Sequence, residues 1–383
     1  MSAESTARAQ VYASEGKSLH AFALDPESGA LTRVGSLELP ELVQYGALEA
    51  TGRFLYLSVS DRQERHLVMA VALDPATGVP RLHGAPLTAE AGRVIHLSVD
   101  AAGAFLVLAH PQAQRLTAIA LEPDGRLGGW LPTSEETGFF AHQAALDPES
   151  RGLVACALGA DATDQAPERP GELRAFRCER GRLTATGRVT LEPGLGARHL
   201  VYGGGRAYVV LERGNRLAVY DYSDGRLAAT PRFVVTTLRD PARLRPAQRA
   251  GAIHFHPNGR YLYVSNRANA TVPAVAGEAT VPIFAGGENA IALFSVDPET
   301  GEPHLTAHAD TLGIEPRTFT IDASGRFLIV ANHSSLDKLD ADGRTRAIPR
   351  SHVVYRIAED GRLELLHKYD RTDGDLFWIG ARR

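Results

Sequence analysis

The stretch AIHFHPNGRYLYVSNR, residues 252–267, decides the fold. Alternating residues stand on either side of its P-N-G turn, a pattern typical of a β-hairpin. Five other stretches repeat a strand, a tight turn containing glycine and a β-branched or aromatic strand. They span residues 44–60, 95–110, 142–159, 198–212 and 317–333. The chain is therefore predicted to consist of repeated hairpins.

A second kind of hairpin follows each of the first, as in IALFSVDPETGEPHL, residues 291–305. It contains an apolar strand, an acidic turn with glycine and another strand. The equivalent stretches span residues 67–82, 116–130, 173–187, 217–231 and 353–367. Four strands per unit, at a repeat of about 45 to 66 residues, are typical of β-propeller blades.

Both chain ends supply parts of one further unit. Residues 20–35 form a second-type hairpin, a strand precedes it near residues 10–13, and residues 376–383 form an apolar stretch. We therefore predict an all-β, seven-bladed propeller with four antiparallel strands per blade. Its closing blade is shared by N- and C-terminal strands, because closure removes exposed sheet edges. A pair of β-sandwiches or a solenoid is the alternative.

Three insertions interrupt the repeat, at residues 160–171, 269–287 and 334–350. They are rich in glycine, proline and alanine or in charge, and each falls between the second and third strands of a blade. Such composition predicts loops. None is long enough to separate domains, so one domain over residues 1–383 is expected.

Composition excludes several function classes. The 41 Lys and Arg against 45 Asp and Glu give a net charge of −4, too weak a field to favour nucleic acid. Two cysteines suffice for neither a disulfide framework nor a zinc site. No apolar run resembles a signal peptide or a membrane span. We expect a cytoplasmic monomer or homodimer with no membrane partner, no metal and no cofactor.

Alignment of the repeats on their turns brings polar residues to one end of the first hairpins. Five positions before the turn stand Gln44, Ile95, His142, Arg198, Gly251 and Arg317. The next position holds Tyr45, His96, Gln143, His199, Ala252 and Thr318. The second strand runs back antiparallel and ends at the same place with residues that include Glu212, Arg267, Asn332 and His333. We predict a pocket at this mouth of the central channel, with His254 deeper in its strand.

The stretches at residues 314–335, 250–269, 196–215 and 95–110 resemble the lactonase family of seven-bladed propellers. That family includes the propeller-type 6-phosphogluconolactonases and the carboxy-cis,cis-muconate cyclases. The resemblance implies four catalytic residues: His142, Arg198, Glu212 and Arg267. Together with the aligned rows it indicates six substrate-binding residues: His96, His199, His254, Arg317, Asn332 and His333.

The resemblance implies hydrolysis of a sugar-acid lactone, so a small anionic lactone or carboxylate is the expected partner. Lactone hydrolysis needs a base for water and a positive charge for the oxyanion. We expect His142 to be the base, since its intrinsic pKa is suitable, with Glu212 orienting it or the water. Arg198 and Arg267 would then stabilise the oxyanion.

Arg317 and His254 are expected to bind the acidic group of the substrate. Glu212 is the alternative base. Two alternative functions remain: a muconate-type cycloisomerase or lactone isomerase using the same residues, and a non-catalytic propeller that binds a ligand.

Overall fold

The structure is a computed structural model that describes residues 10–276, 279–340, 342, 344–372 and 374–382. Apart from one 3₁₀ helix, Pro241–Arg243, the regular elements in these ranges are β-strands. No helix among the described residues is both long and apolar enough to cross a membrane.

The strands of the described ranges are numbered in chain order. The first seventeen are β1 (Gln10–Glu15), β2 (Ser18–Leu24), β3 (Leu31–Glu38), β4 (Leu42–Leu48), β5 (Phe54–Ser60), β6 (His66–Leu73), β7 (Pro80–Leu82), β8 (Leu87–Thr88), β9 (His96–Val99), β10 (Phe105–His110), β11 (Arg115–Leu121), β12 (Leu127–Glu136), β13 (Ala141–Leu146), β14 (Gly152–Ala157), β15 (Glu172–Glu179), β16 (Arg182–Thr190) and β17 (Ala197–Gly203). The others are β18 (Arg206–Leu211), β19 (Arg216–Ser223), β20 (Arg226–Leu227), β21 (Phe233–Thr236), β22 (Arg249–Phe255), β23 (Tyr261–Arg267), β24 (Thr271–Ala276), β25 (Ala279–Phe284), β26 (Ala290–Val296), β27 (Pro303–Asp310), β28 (Ile314–Ile321), β29 (Phe327–Ser334), β30 (Leu336–Leu339), β31 (Thr345–Ile348), β32 (Arg350–Ile357), β33 (Leu363–Arg371) and β34 (Ile379–Ala381).

Seven sheets within the described ranges form the blades of a propeller. From the inside outwards, blades 1 to 7 are β34-β1-β2-β3, β4-β5-β6-β7, β9-β10-β11-β12, β13-β14-β15-β16, β17-β18-β19-β20, β22-β23-β26-β27 and β28-β29-β32-β33. The short strands β8 and β21 pair with β6 and β19. Each inner strand contacts the next around a complete ring, from β34 to β4 and onwards to β28 and back to β34.

Blade 1 closes the ring with strands from both chain ends. β1 pairs antiparallel with β34, in the register Val11 to Ala381 and Ala13 to Ile379. The predicted seven-bladed all-β fold and its shared closing blade are therefore confirmed.

Apolar clusters fill the spaces between neighbouring blades. Tyr12 of blade 1 packs with Leu57 of blade 2, and Phe327 of blade 7 packs with Val11 of blade 1. Cys156 lies fully buried in the cluster between blades 4 and 5, as a core residue. Both faces of most blades are covered by neighbours, which explains why second strands such as β10 are buried at every residue.

A repeated hydrogen bond joins adjacent blades. A tyrosine on the second strand of one blade donates its hydroxyl to the carbonyl of the turn glycine between the third and fourth strands of the next. The pairs are Tyr12 with Gly78 (2.9 Å), Tyr56 with Gly125 (3.0 Å), Tyr208 with Gly301 (2.9 Å) and Tyr263 with Gly361 (2.7 Å). These glycines have φ between +71° and +85°. The recurrent acidic turn therefore also holds neighbouring blades together.

Replacing Tyr208 or Tyr263 by phenylalanine should lower the free energy of unfolding by about 1–2 kcal/mol, because a buried carbonyl loses its donor. Thermal melting of each variant and of the double variant measures the effect. The two sites lie on different blade interfaces, so their effects should add. Unchanged melting temperatures in both single variants would contradict this role.

Two of the three insertions are not loops, so the prediction was wrong for residues 269–287 and 334–350. They fold into the hairpins β24–β25 and β30–β31, which join through a parallel contact between Ile283 and Asp337 into an eighth sheet. The sequence showed the turn-forming composition of each insertion. It did not show that the two insertions pair with each other, because Ile283 and Asp337 lie about 50 residues apart along the chain. Residues 160–171 contain only isolated bridges, from Ala160 to Arg169 and from Thr163 to Ala166.

Candidate active site

The entrances of four inner strands carry a β-bulge at the same place. The register skips one residue in β4, β13, β17 and β28. The skipped residues are Gln44, His142, Arg198 and Arg317. A bulge turns the side chain of the extra residue away from the regular alternation. The bulges therefore turn one polar side chain from each of four blades towards the same place.

All four bulge residues line one cavity of about 60 Å³ that is partly open to solvent. The lining consists of Gln44, Tyr45, Arg93, Ile95, Phe140, His142, Arg198, His199, Arg317, Thr318 and Phe377. Three guanidinium groups and two imidazoles face this space, and the described lining contains no carboxylate. The cavity is electrostatically suited to an anion.

Three buried histidines meet at the cavity. The His199 ring lies 4.9 Å from that of His142 and 5.8 Å from that of His96, and Tyr45 packs on His96 at 4.1 Å between ring centroids. Within the described part of the chain, Nδ1 of His142, Nδ1 of His96 and Nε2 of His199 have no hydrogen-bond partner. His254, on β22, packs its ring against Phe319 at 4.8 Å.

Burial keeps these imidazoles neutral. It lowers the pKa of His96 to about 3. Burial and the charges of Arg198 and Arg317 hold the pKa of His142 well below 6.5. The pKa of His199 is also well below 6.5, because of burial and then of His142 and Arg198. A neutral imidazole with an unpartnered nitrogen can accept a proton from water. No group of three or more His, Cys, Asp or Glu side chains suited to a metal ion occurs among the described residues.

A chain of ion pairs lies behind the cavity. Glu212 accepts a hydrogen bond from Arg198 and lies 3.1 Å from Nη2 of Arg267, whose Nη1 donates to Glu315 at 2.9 Å. Arg317 lies 3.8 Å from Glu315. Burial alone would raise the pKa of Glu212, but Arg198 and Arg267 outweigh it and lower that pKa to about 2. Glu212 is therefore ionised and poorly suited to act as a base.

The four residues implied as catalytic divide between two spaces. His142 and Arg198 line the cavity. Glu212 and Arg267 line a neighbouring open cleft, together with Arg249, Asn269 and Glu315 among others. Glu212 was expected to orient His142 or the water, and its ion-pair partners among the described residues are arginines. Arg198 joins the two spaces.

Four of the six expected substrate-binding residues lie outside the cavity lining: His96 and His254, described above, and Asn332 and His333. Asn332 is fully buried and donates to the Thr311 carbonyl at 2.8 Å and the Ser351 hydroxyl at 3.1 Å. His333 packs edge-on against Phe377 at 5.4 Å between ring centroids. His333 therefore supports a wall of the cavity from behind.

Sequence reasoning missed three residues of this region: Arg93, Glu315 and Phe377. Glu315 has a φ of +57° and receives hydrogen bonds from Arg267, Asn269 and Ser334. Its position two residues before Arg317 was the available signal. Phe377 stacks on the Arg317 guanidinium at 4.0 Å. It belongs to the C-terminal segment, which the alignment of repeats did not include.

Comparisons with known proteins agree with this architecture. The family described as "Lactonase, 7-bladed beta-propeller" matches residues 6–339. A 6-phosphogluconolactonase of Yersinia pestis is 26% identical over 96% of this chain and 96% of its own length. One of Formosa agariphila is 22% identical over 88% of this chain and 93% of its own length.

A solved structure has the same fold. The periplasmic gluconolactonase of Pseudomonas aeruginosa superposes with a TM-score of 0.76 and 20% identity, over 98% of this chain and 99% of its own. At that identity the superposition shows a shared fold. Since the family matches most of the chain, this protein belongs to the lactonase family of seven-bladed β-propellers.

Proposed function

We propose that this protein hydrolyses a sugar-acid lactone that carries an acidic group, of the 6-phosphogluconolactone type. One observation carries the proposal: the cavity combines a neutral, buried His142 with the guanidinium groups of Arg198 and Arg317 and has no carboxylate among its described lining. Such a site attracts an anion and offers it a base. The names of the Yersinia and Formosa relatives support a lactone as the substrate.

The proposed reaction begins when His142 takes a proton from water. The water oxygen attacks the lactone carbonyl, and the developing oxyanion receives hydrogen bonds from Arg198. Collapse of the tetrahedral intermediate breaks the ring C–O bond. The leaving alkoxide takes the proton back from the His142 imidazolium. The product is an open hydroxy acid, which releases a proton to solvent.

Arg198 suits the oxyanion because it lines the cavity and its Nε atom has no partner among the described residues. Its pKa falls to about 10, mainly through burial, so it stays protonated at neutral pH. Glu212 holds its guanidinium in place, and Arg267 holds Glu212 in turn. We therefore assign Glu212 and Arg267 as positioning residues, and His142, Arg198 and Arg317 as residues that contact the substrate.

The pH dependence follows from the lowered pKa of His142. The neutral imidazole is the active form, so activity is present above its pKa and lost as the pH falls through it. kcat/KM, which reports the free enzyme, should therefore stay level from about pH 8 down to about pH 6. A bound anion favours the imidazolium, so kcat should begin to fall at a higher pH than kcat/KM. A decline of kcat/KM between pH 7 and pH 6 would contradict the assignment.

The test of the function is a panel of aldonolactones with and without a phosphate group, followed by acid release and corrected for spontaneous hydrolysis. Muconates, followed by ultraviolet absorbance, test cycloisomerisation in parallel. Turnover of a phosphorylated lactone supports the proposal. Turnover of a muconate alone, or of no compound, would overturn it.

A further inference from the structure

Arg93 stands out among the cations of the cavity because the described residues offer it no counter-ion. It lines the cavity three residues before the start of β9, and no described carboxylate lies within 4 Å of its guanidinium. Its Nε atom is buried and has no hydrogen-bond partner in the described part of the chain. Arg198 and Arg317, by contrast, each face a glutamate. A half-buried and unpaired charge is unfavourable unless a ligand compensates for it.

A second arginine without an ion pair in the described ranges reinforces this charge. Arg62 stacks on Phe377 at 5.0 Å, on a ring whose other guanidinium neighbour, Arg317, lies at 4.0 Å. Burial lowers the pKa of Arg93, and the positive charge of Arg62 lowers it further. Arg62 has a φ of +68° and donates its backbone N–H to Ser60 Oγ at 2.7 Å. This left-handed conformation is uncommon outside glycine and asparagine.

We propose that Arg93 and Arg62 form the subsite that binds the acidic group of the substrate, which makes Arg93 a specificity-determining residue. The proposal rests on the lactonase function proposed above. The ligand chemistry is an oxyanion with several acceptor oxygens, either a phosphate monoester or a carboxylate. A guanidinium pairs with both through two parallel hydrogen bonds. The Phe377 ring contacts the guanidinium groups of both Arg62 and Arg317.

Without a bound ligand, the charge of Arg93 lowers the stability of the folded protein. Burial and repulsion from Arg62 disfavour the Arg93 charge, and the described structure contains no contact that offsets them. Removing the side chain should therefore leave thermal stability unchanged or raise it. A structural arginine behaves in the opposite way, because its removal breaks ion pairs. Residues that serve binding or catalysis often lower the stability of the folded protein.

The first measurement compares kcat/KM of wild type and Arg93→Ala on three lactones: one with a phosphate, one with a carboxylate and one with neither. We expect a fall of about 10- to 100-fold on the lactone with the preferred acidic group, and less than about twofold on the neutral one. The phosphate and carboxylate arms identify which group the subsite takes. Arg93→Lys should recover part of the loss, since it restores the charge without the planar fork.

The second measurement needs no catalysis. Inorganic phosphate should raise the melting temperature of wild type by mass action, and Arg93→Ala should lose this shift. If phosphate gives no shift with wild type, succinate is used as the carboxylate probe. Arg65→Ala is the matched control: Arg65 lies on the same loop as Arg62 but already pairs with Glu41 at 3.3 Å, so its removal should leave the shift intact.

The outcomes separate the two proposals. If wild type hydrolyses no lactone but an anion stabilises it only when Arg93 is present, the lactonase function fails and the subsite stands. Equal losses of Arg93→Ala on charged and neutral lactones would overturn the subsite. So would the same anion-induced stabilisation in wild type and Arg93→Ala, or stabilisation of neither by phosphate or succinate. A melting temperature of Arg93→Ala several degrees below that of wild type would assign Arg93 a structural role instead.

Discussion

Replacing Arg198 by alanine should lower kcat on the lactone substrate by about 10²- to 10³-fold, the loss typical of removing one oxyanion donor. Arg198 both lines the cavity and is held by a buried carboxylate, Glu212. The carbonyl oxygen gains its charge only as water attacks, so the loss should appear in kcat more than in KM. Steady-state hydrolysis of the phosphorylated lactone measures it.

This variant also leaves Glu212 with one fewer partner, which could disturb the fold instead of the chemistry. The double variant Arg198→Ala, Glu212→Gln also removes the carboxylate charge that Arg198 no longer neutralises. If the loss in kcat reflects oxyanion stabilisation, the double variant stays as slow as the single one. Recovery to near wild-type activity would assign Arg198 a structural role. Arg213→Ala is the matched control, because the Arg213 side chain is only 7% exposed and is paired with Asp161 at 2.7 Å but lies outside the cavity lining.

Replacing His142 by glutamine should lower kcat by about 10²- to 10⁴-fold, the usual contribution of a general base. Glutamine approximates the size and polarity of histidine but cannot accept a proton at neutral pH. Binding of inorganic phosphate should persist, because the cavity arginines remain. Hydrolysis rates together with the phosphate-induced shift in melting temperature measure both expectations.

His256→Gln is the matched control for this variant. His256 follows the inner strand β22 at the opposite, turn end, where its Nε2 atom lies 2.9 Å from the Gly325 carbonyl oxygen. Its replacement should leave kcat within about threefold of wild type. A loss of activity in His142→Gln that hydroxide restores only at high pH fits a missing base. Retention of kcat within tenfold would remove His142 from the mechanism and leave His199 as the remaining imidazole of the lining.

Much of the candidate site could be predicted from the repeats, because equivalent residues of different blades lie at the same end of their inner strands. Gln44, Ile95, His142, Arg198 and Arg317 stand at the same distance before their turns and line the same cavity. Asn332 occupies an equivalent position on a second strand, yet its amide turns towards Thr311 and Ser351. Position in the repeat therefore predicts where a residue lies but not what its side chain contacts.

The amino-acid sequence by itself determined the number of blades, the closing blade and the row of residues at the channel mouth. Strand alternation and turn geometry are local properties, and they recur often enough to be recognised within one chain. Only the tertiary structure decided that Glu212 and Arg267 face a separate cleft, that Arg93 and Phe377 join the cavity, and that two insertions build an eighth sheet. These features depend on contacts between residues that are distant along the chain, and their energy comes from charge pairing and burial that no local pattern records.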